Sequence, residues 1–150
     1  LSNEELHMMK LIVQALYMKY HLDYDECKVY FDQLLQQYPR NIYIMKHAAE
    51  CYAICSMSRQ SISVYVQLRA VDATYTKGLD MFGYVLYTMG NEADLNKLTT
   101  EVMTHIDYSH RCHNQNLNQG SPRPEGWLLA AMLSALKNES EKVVYFLDKV

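Results

Sequence analysis

Leu11-Ile12-Val13-Gln14-Ala15-Leu16-Tyr17-Met18 returns in outline as Met45-Lys46-His47-Ala48-Ala49-Glu50-Cys51-Tyr52. It returns again, at the same spacing, as Leu79-Asp80-Met81-Phe82-Gly83-Tyr84-Val85-Leu86. Each copy has a large apolar residue, a small residue four later and a large apolar residue three after that. The spacing continues outward. Cys27, Ser61 and Leu95 follow the small residue by twelve; Phe31, Tyr65 and Thr99 follow it by sixteen. Pro39 closes the first copy, and Ala73 and Asp107 stand in its equivalents. A fourth copy is displaced: Trp127 lies 48 after Leu79 and Ala131 lies 48 after Gly83, continuing through Ser134, Val143 and Leu147. The repeats read as 8–41, 42–75, 76–109 and 124–150, with an insertion at 110–123.

This grammar, with its period of 34, resembles the tetratricopeptide repeat. It predicts an all-α superhelix, an α-solenoid of antiparallel helix pairs. The small residue lets two helices approach closely, and the aromatic sixteen later fills the gap to the next pair. Predicted helices cover about 3–20, 24–37, 41–55, 58–70, 74–89, 92–106, 125–136 and 139–150. Asp23 with Glu26, and Asn138 with Glu141, have capping-box spacing. Gly90 followed by Asn91 reads as a helix stop and a new cap. Leu95, Thr99 and Gln14 depart from the pattern, so the second helix of the third repeat is the weakest. Solenoid ends need polar caps. Neither terminus supplies one, which predicts a longer native chain or ends that meet partners.

Composition agrees with a helical domain. The chain has 150 residues, 49% of them hydrophobic and 21% charged, with five Gly and three Pro. Disordered, collagenous and loop-rich disulfide classes are excluded. Fourteen basic residues against seventeen acidic give a net charge of -3, without a basic stripe, so no nucleic-acid partner is expected. The longest apolar run, Trp127 to Leu133, is far short of the roughly 20 residues of a membrane span, so no membrane partner is expected. Cys27, Cys51, Cys55 and Cys112 read as reduced thiols of a nuclear or cytoplasmic protein.

Motifs for chemistry are missing. There is no phosphate-binding glycine loop, no H-E-x-x-H and no G-x-S-x-G. No catalytic residue, cofactor or metal is predicted. His105, His110, Cys112 and His113 are the nearest thing to a zinc cluster. However, adjacent Cys112 and His113 diverge, and the tract from Asn114 to Pro124 reads as a flexible excursion.

In a tetratricopeptide superhelix the first helix of each pair lines the concave groove. The faces opposite the packing residues carry Met9, Ile12, Leu16, Lys19 and Tyr20, then Tyr43, Lys46, Glu50 and Ile54, then Lys77, Asp80, Tyr84 and Tyr87. Tyr43, Lys46, Lys77, Tyr84 and Tyr87 are the candidate partner-binding set: rigid aromatic area with cations for carboxylates. Leu16, Glu50 and Tyr84 stand where a two-carboxylate clamp for chaperone tails would need Asn.

The run Lys77-Gly78-Leu79-Asp80-Met81-Phe82-Gly83-Tyr84-Val85-Leu86, continued by Pro124-Glu125-Gly126-Trp127, is similar to the tetratricopeptide scaffold subunits of the anaphase-promoting complex. The similarity spans all four repeats. Ala73, where that family tends to have Pro, and the insertion depart from it. The resemblance implies a non-catalytic scaffold in a cell-cycle ubiquitin ligase, found in nucleus and cytoplasm. It further implies a homodimer in the full-length protein and other subunits as partners, with short tails held in the groove. A stand-alone adaptor binding peptide tails, of chaperone or trafficking type, is the alternative.

Overall fold

A computed structural model describes residues 2–104 and 123–150. All but the last residue of the predicted insertion at 110–123, and with it His105, His110, Cys112 and His113, lies outside the described residues. Within them the chain is all-α: α1 (Asn3–Tyr20), α2 (Tyr24–Gln37), α3 (Ile42–Ile54), α4 (Ser58–Val71), α5 (Leu79–Thr88), α6 (Glu92–Thr104), α7 (Pro124–Leu136) and α8 (Ser140–Leu147). They fall into two compact units, Leu1–Tyr75 and Thr76–Val150, and the division coincides with the boundary between the second and third repeats.

Four helical hairpins are closed by one recurring turn. Leu22, Ser56, Gly90 and Asn138 each take a left-handed conformation, with φ of 64°, 59°, 65° and 57°. Their spacing is 34, 34 and 48, the period of the sequence. Each turn makes the two hydrogen bonds of a Schellman motif. Leu22 N–H donates to the Lys19 carbonyl and Asp23 N–H to that of Met18; Ser56 and Met57 repeat this on Ala53 and Tyr52. Gly90 and Asn91 do so on Tyr87 and Leu86, and Asn138 and Glu139 on Ala135 and Ser134. Only the third turn uses glycine, the residue that tolerates this conformation without a Cβ penalty.

The next helix starts on the residue after each turn. Asp23 and Asn91 cap theirs with a side-chain oxygen on the N–H of Glu26 and Asp94. Met57 and Glu139 make no such bond. Asn138 is therefore not the predicted cap. It is consumed as the left-handed stop of α7, and Glu139 takes the cap position. At the N-terminus Ser2 and Glu5 form a full capping box.

In the first unit α1 packs on α2, α2 on α3 and α3 on α4. The small residues sit at the hairpin contacts as predicted. Ala15 and Ala49 are wholly buried. Cys27 Sγ donates to the Ala15 carbonyl at 3.4 Å, and Ser61 Oγ to the Ala49 carbonyl at 2.8 Å. One bond thus recurs at equivalent places in successive repeats. Phe31 and Tyr65 fill the gap-filling position and are buried.

In the second unit α5 packs on α6 and α7, α6 on α7, and α7 on α8. Leu95 takes the place of Cys27 and Ser61, and cannot donate a hydrogen bond. Instead its side chain is wholly buried, and α6 forms despite its departures from the pattern. The register predicts Gly83 at the contact with its own partner helix. A Cβ there would lie 3.5 Å from Leu95 Cδ1 of α6 but only 2.0 Å from Leu129 Cδ2 of α7. The absence of a side chain thus makes room chiefly for the following hairpin.

The helix predicted from residue 74 begins at Leu79. Asp72 Oδ1 accepts from both the N–H and the hydroxyl of Thr74, and the Arg69 guanidinium donates to the carbonyls of Ala73 and Tyr75. Polar side chains thus hold this stretch outside a helix. Gly78, at φ 72°, then starts α5.

Candidate protein-binding surfaces

The five predicted groove residues divide between the units. Tyr43 and Lys46 share α3 in the first. Tyr43 is half exposed, and its ring meets His47 edge-on at 4.5 Å between centroids. Lys46 is not a free cation. Its Nζ lies 3.1 Å from Glu50 Oε1, one turn along the same helix. Glu50 is shared: Lys19 Nζ reaches its Oε2 from α1 at 2.6 Å, and His47 Nδ1 lies 3.2 Å from the same oxygen.

Burial pushes the Glu50 carboxyl up. Hydrogen bonds from His47, Lys19 and Lys46, with the Lys19 charge, outweigh that and bring it down to about 2. Lys46 is held above its ordinary value: burial opposes its charge, and Glu50 more than restores it. Two lysines against one carboxylate leave a positive excess on the face that α1 and α3 share. On the same two helices Met9, Tyr20 and Ile54 are exposed. A surplus cation with exposed apolar residues on the same helices suits a chain end or an acidic side chain flanked by apolar groups.

In the second unit Tyr84 is half exposed and Tyr87 partly buried, three apart on α5. The sequence reading puts Lys77 on the same helix. It is exposed but lies two residues before α5 begins, beside Gly78. Its register is therefore set by the loop rather than by a helix face.

Two further surfaces lie in the second unit; the sequence reading anticipated an apolar chain end but not the groove. A groove of ≈ 460 Å³ runs over α7 between α6 and α8, lined by Thr99, Met103, Ala130, Leu133, Ser134 and Phe146 among others. The second is on α8 and the residues after it, where no residue is buried. Leu147 occupies the position of Phe31, Tyr65 and Thr99, and Val150 that of Leu34, Leu68 and Val102. The six earlier residues are all buried, whereas Leu147 is 50% and Val150 56% exposed. The register names the equivalent positions; that they are buried in the earlier repeats and exposed here is supplied by the structure.

Among the described residues no group of three or more His, Cys, Asp or Glu is placed to hold a metal ion, and no helix is long and apolar enough to cross a membrane. No protein-family model and no curated protein matches the chain.

Proposed function

We propose that the chain is a stretch of tetratricopeptide superhelix acting as a non-catalytic scaffold for protein partners. The observation that carries this reading is the recurrence of one Schellman turn at Leu22, Ser56, Gly90 and Asn138 in the period of the sequence. Repeat architectures of this kind bind proteins through extended faces rather than through clefts. The run from Lys77 to Leu86 supports a narrower reading: a scaffold subunit of the anaphase-promoting complex, of the subunit 7 type. On that reading the partners are other subunits of the ligase in nucleus and cytoplasm, with short tails against Tyr43 and Lys46 of the first unit or Lys77, Tyr84 and Tyr87 of the second. The positive excess around Glu50 supports a carboxylate-bearing tail.

The test is capture of ligase subunits by the tagged chain at low salt, where charge pairs are least screened. Neutral Lys46→Gln with Lys77→Gln is the appropriate pair, because reversing Lys46 would also set a carboxylate beside Glu50. We expect weakened capture with self-association intact. Leu147→Asp with Val150→Asp probes the α8 surface separately. Capture lost only in the latter pair places the function on α8 and removes the groove reading. Capture of no ligase subunit by the parent chain removes the complex assignment and leaves the stand-alone adaptor.

A further inference from the structure

The thiols of Cys27 on α2 and Cys51 on α3 are in contact, Sγ to Sγ 3.3 Å, and both residues are wholly buried. The two helices belong to successive hairpins, so this contact joins the first hairpin to the second inside one unit. Sulfur meets sulfur at no equivalent place: the register puts Ser61, Leu95 and Val143 where Cys27 stands, and Tyr17, Val85 and Leu133 where Cys51 stands. Each thiol already has a direction. Cys27 donates to the Ala15 carbonyl and Cys51 donates to Cys27. A disulfide needs the sulfurs to close to about 2.05 Å, a movement of little more than an ångström between helices already packed together.

We propose that Cys27 and Cys51 form a reversible disulfide that braces α2 to α3 when the protein meets hydrogen peroxide. In the first step one sulfur, as thiolate, attacks the peroxide. The O–O bond breaks, a sulfenic acid forms, and the departing hydroxide takes up the proton the thiol had released and leaves as the first water. The second sulfur then attacks the sulfenyl sulfur. The S–S bond forms, the S–O bond breaks and a second water leaves with the remaining proton. Two electrons pass from the sulfur pair to one peroxide, which ends as two waters. Burial raises both thiols above their ordinary values, so thiolate is scarce and larger oxidants are shut out. Both thiols are free in the structure. Cys55 is half-buried at the end of α3, one turn beyond Cys51, and is the more accessible thiol of the three. It is the main competitor for the oxidant.

The experiment treats the native chain with excess hydrogen peroxide, quenches it, and maps the cross-linked peptides by mass. We expect the loss of two hydrogens per chain, a peptide pair joining Cys27 to Cys51, and a rise of several degrees in the thermal midpoint, reversed by dithiothreitol. Cys55→Ser should keep the link. Cys27→Ser should abolish it and still fold, because Ser61 makes the same bond to a helix carbonyl one repeat on. The wild-type map stands whether or not that variant folds. A link mapped to Cys55 or Cys112, sulfinic acid on unlinked Cys27 or Cys51, or no reaction at either residue overturns the proposal. An oxidised form that melts lower than the reduced form overturns the brace.

Discussion

Glu50 is the residue on which the first unit's polar face turns. Its carboxyl falls from an ordinary 4.5 to about 2 in the folded chain, so the unfolded chain takes up the proton first on acidification. The stabilisation is complete above about pH 5 and is lost as pH falls toward 2. At full linkage it amounts to at most about 3 kcal/mol. Glu50→Gln is expected to flatten that acid limb in urea melts at stepped pH. At neutral pH the same variant should cost roughly 1–3 kcal/mol, because two partly buried lysines lose their carboxylate. Gly83 is decided by packing instead. Gly83→Leu should lower stability by about 1–3 kcal/mol or more through overpacking against Leu129, and Leu129→Ala in the same chain should recover part of it. An unmoved thermal midpoint in Gly83→Leu would refute the close approach of α5 and α7.

At the scale of the element, the four turns ask for one backbone conformation and receive four different residues. A left-handed L-residue costs roughly 1–2 kcal/mol, part of which glycine gives back as unfolded-state entropy. Leu22→Gly is therefore expected to stabilise by about 0.5–1 kcal/mol, and Gly90→Leu to destabilise by a similar amount. Nothing lies within 4 Å of a Cβ at Gly90, so that loss measures strain rather than clash. Guanidinium melts of the two variants check the pair. Equal and opposite shifts in midpoint would establish that the turns are interchangeable. The hydroxyl of Ser61 is the corresponding test inside a hairpin. Ser61→Ala removes one buried hydrogen bond to Ala49, an expected loss of about 1 kcal/mol.

For the whole molecule, the division at Tyr75 and Thr76 gives each half two hairpins with their own internal packing. Residues 1–75 expressed alone are expected to show a helical circular-dichroism spectrum and a cooperative melt. A broad, non-cooperative transition would show that this half depends on the other for its fold. The exposed Leu147 and Val150 bear on all 150 residues together. Leu147→Asp with Val150→Asp should cost within about 0.5 kcal/mol, since exposed positions contribute little, and should raise solubility.

The sequence by itself determined the all-helical class, the period and the small residues of the first two hairpins. These are local properties: a repeating register, turn residues and size alternation are written along the chain. It located seven of the eight helix starts to within a residue or two. It missed the start of α5, where side chains of Arg69, Asp72 and Thr74 bind backbone groups and Gly78 turns left-handed. It also misplaced Asn138, because a helix stop and a helix cap draw on the same residue types. The candidate site was legible only as a list. Lys46 and Glu50 are visible as neighbours one turn apart. That Lys19 closes on the same carboxylate, leaving one cation in excess, required two helices to be packed. The contact of Cys27 with Cys51 and the exposure of Leu147 and Val150 likewise belong to tertiary structure. Periodicity states which residues share a face; only packing decides what that face meets.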